Sequence, residues 1–268
     1  MWLLSTYWSS AQEAHNFVTP SQKKVTIYIA DSLSAAIKSP LLSSFQDHIK
    51  SYDRPKDGDT IWIKSYTSEN PPPNTDTRAI AFSDGDQEHT LYINIDRITN
   101  TDAYDNGLHE RSHLRKMVKV DVPSSLDLIE GIWKITAIKG LKIYIDFWQE
   151  EEKEFAKIEE AVAEFLATKI NPSRKVGSAN YFALGLAMQK MESLWWIDPL
   201  YIKDAIDQSD IWYLANAIYP KVPREQQIIK LMTLFQDIRD VGNILPAQDQ
   251  KTYIQNKVLN ILHNKDNL

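Results

Sequence analysis

Apolar and polar residues alternate from Lys24 to Ala30 (KVTIYIA) and again from Thr60 to Tyr66 (TIWIKSY), the period of two expected of a strand with one buried face. Between them Leu33, Ile37, Leu41 or Leu42, Phe45 and Ile49 recur at helical intervals, which predicts a helix over 32–52 that Pro40 kinks or breaks. Pro71-Pro72-Pro73 puts 69–77 in a loop, because proline cannot donate to a ladder. Arg78 to Phe82 and Thr90 to Asp96 read as two more strands around an Asp84-Gly85-Asp86 turn. The first hundred residues therefore predict strand, helix and three strands.

Thr99 to Asn106 is rich in Thr, Asp and Asn, whose side chains cap helices, so a helix is expected to begin there and run to about Val120, with Gly107 weakening its first turn. After Pro123, Ser124 and Asp127 resemble an acidic capping box ahead of Leu126, Ile129, Ile132, Trp133 and Ile138, a second helix that Gly140 stops or bends. Leu141, Tyr144, Trp148, Phe155, Ile158, Val162, Phe165 and Lys169 then predict a long helix over much of 141–170, ended by Asn171-Pro172. Beyond Ser178 the pattern is helical throughout: Asn180 to Trp196, Pro199 to Asp207, Asp210 to Ile218, Arg224 to Val241 and Gln248 to His263. No fixed period supports a solenoid. The expected class is α+β, a small N-terminal sheet followed by helices, with one domain over 1–176 and a helical region over 177–268.

Composition narrows the function classes. A chain of 268 residues with 43% hydrophobic residues has enough apolar surface for a sizeable core. The formal charge of −6 argues against direct nucleic-acid binding, since a phosphate backbone demands a basic surface. With no cysteine, disulfides, thiol catalysis and thiolate zinc sites are all excluded, which leaves His, Asp and Glu as the strong metal ligands. Met1 to Trp8 is apolar, but it lacks a basic start and turns polar at Ser9, so it reads as a packed element and not a targeting segment. No stretch approaches the roughly 20 apolar residues that span a bilayer. The expectation is a soluble, cytoplasmic protein without a membrane segment.

The chemistry concentrates in His109-Glu110-Arg111-Ser112-His113. Residues four apart share a helix face, so two imidazoles can reach one ion at about 2.0 to 2.1 Å. Glu110 flanks the open position, where it can take a proton from a water acidified by the metal and return it to a leaving amine. The competing reading is a solvated helix face that happens to carry two histidines. A catalytic zinc usually needs a third protein ligand. Lys116 and Lys119 occupy the places where the metzincin scheme requires Gly and His, so that scheme fails. The other scheme takes a glutamate from a later helix. Ala156, Ala163 and Ala167 form a small-residue flank beside Glu160 and Glu164, where a glutamate can meet the histidine face and Glu164, one turn on, can hydrogen-bond a ligand imidazole. Glu159 is the fallback ligand, and an ordinary amphipathic helix with solvated acids is the alternative.

These residues resemble the gluzincin zinc peptidases, in which H-E-x-x-H is followed on a later helix by E-x-x-A-D/N or a near relative, here Glu160-x-x-Ala163-Glu164. The flanks are similar to the ImmA/IrrE-like branch: a strand ending at Ile93 and Asn94, a short loop, the histidine helix, then Glu160, Ala163, Ala167 and a proline at Pro172. The resemblance covers about residues 24 to 172. It implies a zincin-like fold with Zn2+ held by His109, His113 and Glu160, and Glu110 as general base and acid. The activity it implies is endopeptidase cleavage of a peptide or protein substrate. Thr90 to Asp96 would be the edge strand that pairs with an extended peptide, with Tyr92 and Asn94 as substrate contacts.

Three departures from the pattern stand out. Arg111 occupies a normally uncharged position, which suggests that the back of the helix is exposed; Glu164 replaces Asp or Asn; and His113 and Glu160 lie 47 residues apart (160 − 113). The same features describe an alternative, a catalytically inactive zincin-like regulatory or binding protein that uses its helical region for protein interaction. Tyr104, Tyr144 and Tyr181 are weaker candidates for stabilising an oxyanion and read better as core or surface residues. Asp84, Asp86, Glu88 and His89 read as a solvated turn rather than a calcium loop, and Arg111, Arg115, Lys116 and Lys119 as a charged outer helix face. Trp195-Trp196 and Trp212-Tyr213 read as core, with a partner surface as the rival.

Overall fold

The computed structural model describes residues 12–52, 60–72, 79–83, 89–114, 119–120, 133–147, 153–174, 176, 178–194, 197, 199–208, 210–243 and 250–267. It is mixed α/β, with a five-stranded sheet near the N-terminus. The chain forms two compact units, one of residues 1–53 and 57–114, the other of 54–56 and 115–268. Met1 to Trp8 lies outside the described residues.

In the first unit, β1 (Gln12–Val18), β2 (Lys24–Ala30), β3 (Thr60–Tyr66), β4 (Ala81–Ser83) and β5 (Thr90–Asn94) form a sheet in the order β1-β2-β3-β5-β4. β2, β3 and β5 run parallel, and β1 and β4 flank them antiparallel. The alternation in the sequence sets the faces. Val25, Ile27, Ile29, Ile61, Ile63, Leu91 and Ile93 point to one side, where they meet Leu41, Phe45 and Ile49 of α1 (Ala35–Ser51) and Ala103 of α2 (Asn100–His113). Each such aliphatic side chain contributes about 1.5 to 3 kcal/mol on burial. The opposite face carries cross-strand aromatic pairs, Tyr28 stacked on Trp62 at 4.3 Å and Phe82 on Tyr92 at 5.1 Å.

Three expectations for this unit need correction. Pro40 neither breaks nor ends α1, because Leu33 and Ile37 before it and Leu41, Phe45 and Ile49 after it enter the same core and carry the helix across the lost hydrogen bond. β1 was not expected from its mixed pattern; it is an edge strand with little burial to encode. β5 is not an edge. β4 pairs with it from Ala81↔Ile93 to Ser83↔Leu91, and Asn94 N donates to Ile80 O at 2.9 Å, so its backbone is occupied on both sides.

The second unit opens with strands where helices were expected. β6 (Lys119–Val120), β7 (Trp133–Lys139), β8 (Lys142–Phe147) and β9 (Lys153–Phe155) form an antiparallel sheet in that order. The predicted 124–140 helix is thus a strand from Trp133 onward, and its earlier part lies outside the described residues. The predicted long helix over 141–170 is two strands followed by α3 (Lys157–Ile170). The cause is an ambiguous period: Leu141, Tyr144 and Trp148 fit helical spacing, while Leu141, Ile143 and Ile145 fit alternation, and the latter are the buried set. Gly140, at φ 62°, supplies the positive φ of the two-residue hairpin loop between Lys139 and Lys142, so it turns a strand and does not stop a helix.

Beyond α3 the helical pattern holds: α4 (Ala179–Ser193), α5 (Pro199–Gln208), α6 (Ile211–Ile218), α7 (Arg224–Val241) and α8 (Gln250–His263). Ser178 caps α4 by accepting from Tyr181 N, and Asp210 caps α6 by accepting from Trp212 N. α4 packs against α3, α7 and α8. Among the described residues no helix is long and apolar enough to cross a membrane.

Candidate metal centre

α2 begins at an N-cap, Thr99, whose Oγ1 accepts from Asp102 N at 3.2 Å. It ends at His113, well short of the expected Val120. Leu114 leaves helical geometry and is buried in the sheet core, and Arg111 Nη1 donates to Leu114 O at 2.9 Å, satisfying a carbonyl that a longer helix would have used. Arg111 is 2% exposed, so the back of this helix is not an open charged face. Its guanidinium instead neutralises the negative end of the helix. Arg115 and Lys116 lie outside the described residues.

His109, Glu110, Arg111, Ser112 and His113 are all buried, which removes the reading of two histidines on a solvated helix. The imidazoles meet edge to face, with Nε2 of His113 and Nε2 of His109 3.1 Å apart. Two ligands of one tetrahedral ion, each about 2.1 Å from it, lie about 3.4 Å apart, so the pair already has the separation a shared cation requires. The last turn of α2 also presents helix carbonyls, which favour positive charge.

α3 buries Ile158, Val162, Phe165 and Leu166 along one stripe and carries Glu159 and Glu160 in its first turn, where the helix N-terminus favours carboxylates. Lys142 Nζ is 3.5 Å from Glu159 Oε2, an ion pair for an acid that is 1% exposed. Glu160 is half-buried. Glu164 is buried where Gly185 of α4 leaves room against its Cβ, and its carboxylate accepts from Arg174.

His109 and His113 of the first unit and Glu160 of the second offer two imidazoles and a carboxylate, a donor set that can hold a metal ion. The donor chemistry, two imidazoles and a carboxylate, fits a divalent cation of intermediate hardness.

Tyr92 is buried in its stack with Phe82 and has Lys64 Nζ 5.5 Å from its ring centre. Asn94 is fully buried; its Nδ2 donates to Ser68 Oγ at 3.2 Å and its Oδ1 accepts from Asp96 N at 3.1 Å, so it holds the turn that follows β5. Tyr104 donates to Asp47 Oδ2 at 2.7 Å, and burial, followed by the Asp47 hydrogen bond and charge, pushes its hydroxyl up to about 12. Tyr181 is exposed, and the Tyr144 ring lies under Lys139. Trp212 is buried and Tyr213 exposed, while Trp195, Trp196, Asp84, Asp86 and Glu88 lie outside the described residues. His48 was not singled out from the sequence, although it interrupts the Leu41, Phe45, Ile49 stripe of α1 with a fully buried imidazole. A polar residue at a core position was the signal available.

No family model, curated protein or solved structure matches this chain.

Proposed function

We propose that this chain is a zinc-dependent peptidase of the gluzincin kind, with His109, His113 and Glu160 as the residues that would hold the ion. The observation that carries this reading is the histidine pair, Nε2 to Nε2 3.1 Å apart at the end of a helix whose sequence is H-E-x-x-H. When bound, zinc would acidify water toward a pKa of about 7 and polarise a substrate carbonyl. Glu110, next to His109 in the chain and buried, is the group that takes the proton at its carboxylate and delivers it to the departing amine nitrogen. Arg111 and the helix cap hold that segment in place.

The test has two parts. Purified protein is expected to carry close to one zinc per chain, and Glu110→Gln to keep that zinc while losing about 10²- to 10⁴-fold of peptide cleavage measured on a mixed peptide library. Protein that takes up no zinc would overturn the metal centre. Zinc-loaded protein that cleaves nothing would leave the noncatalytic relative as the better reading.

A further inference from the structure

α2 meets α1 at Tyr104, at Gly107 and at Ser112. At Gly107 any Cβ would lie 2.0 Å from Ser44 Oγ, so this contact governs how closely the axes approach. Having no side chain, it does not govern how α2 is turned about its own axis. Ser112, beside His113 in the chain, has its Oγ 3.0 Å from His48 Nε2, and both residues are buried. The serine hydroxyl donates to Leu108 O at 3.3 Å, so it accepts from His48, and the imidazole carries its proton on Nε2. A buried ring at this core position costs more desolvation than a leucine would, so a directional hydrogen bond is what histidine adds there.

We infer that the His48–Ser112 hydrogen bond is a positioning device for the metal centre, setting the rotation of the last turn of α2 and so the directions in which His109 and His113 present their nitrogens. The inference rests on the metal reading above. A rotation of about 10° moves a side-chain tip that lies about 5 to 6 Å from the helix axis by about 1 Å. That is several times the tolerance of a metal–ligand bond, about 0.2 Å. Gly107 alone leaves that rotation free, and Ser112 is placed where the rotation matters.

Cobalt(II) is the probe, because its visible absorption reports donor geometry independently of any activity. Ser112→Ala and His48→Phe are expected to bind cobalt about 10- to 100-fold more weakly than the parent and to shift its visible bands. His48→Gln, which keeps a donor, should stay closer to the parent in both. The double variant His48→Phe/Ser112→Ala, with both polar groups gone, should regain thermal stability over the single variants without regaining cobalt affinity. Parent-like affinity and spectrum in Ser112→Ala, or affinity that returns together with stability in the double variant, would overturn the positioning role. A parent protein that binds no cobalt would instead remove the metal reading, and this inference with it.

Discussion

α3 is held by an apolar stripe of Ile158, Val162, Phe165 and Leu166, and the two carboxylates it buries beside that stripe, Glu159 and Glu164, are each paired with a cation, Lys142 and Arg174. α2 has no such stripe in its last two turns; from His109 to His113 it buries two imidazoles, a carboxylate, a guanidinium and a hydroxyl. A helix built that way gains little from the hydrophobic effect, so specific contacts hold it: the Thr99 cap, the Arg111 bond to Leu114 O, the Ser112 bond to His48 and the close approach at Gly107. Polar burial of that density has a cost in stability, and a segment kept for a functional role is where such a cost is expected.

The contrast can be tested from both sides. On α3, Arg174→Ala strips the guanidinium from the buried Glu164 carboxylate and is expected to cost about 3 to 5 kcal/mol in urea denaturation. Glu160→Ala, at a half-buried position, should cost under about 1 kcal/mol yet abolish zinc uptake. If Glu160→Ala instead destabilised the fold as strongly as Arg174→Ala, the acid would be structural and the contrast would fail. On α2, Gly107→Ala drives a methyl into Ser44 Oγ and should cost about 1 to 3 kcal/mol, partly recovered by Ser44→Gly, again by urea denaturation. No loss at all would mean that α1 and α2 are not in close register.

The smallest effect concerns pH. The Tyr104 hydroxyl is raised from 10.0 to about 12, so folding favours its neutral form; the contribution is complete below pH 10 and is lost as pH rises through about 12. Tyr104→Phe should therefore make the fall in stability between about pH 10 and 12 shallower, as followed by alkaline unfolding. An unchanged slope would remove Tyr104 from the anchoring of α2.

Much of the chain was legible beforehand. β2 and β3 have the predicted limits, and α4 to α8 lie where Pro and capping residues punctuate the helical pattern. Segments 133–147 and 153–155 were misread because Leu141, Tyr144 and Trp148 keep helical spacing while Leu141, Ile143 and Ile145 alternate, and only the partner strand decides between the two: Ile135 pairs with Ile145 and Ile138 with Ile143. Of the centre, the histidine pair could be seen in five consecutive residues. The roles of Glu159, Glu164 and Arg111 could not, because each depends on a charge distant in sequence or on a carbonyl beyond the helix end: Lys142 for Glu159, Arg174 for Glu164, Leu114 O for Arg111.

Local order in this chain settled which segments are strands or helices wherever one period dominated, and which helix bears two imidazoles on one face, since both follow from backbone geometry within a few residues. Folding settled which strand lies inside the sheet, where α2 stops and which of two adjacent glutamates faces a lysine. Those outcomes depend on partners brought together from far along the chain, and a short-range pattern carries no record of them.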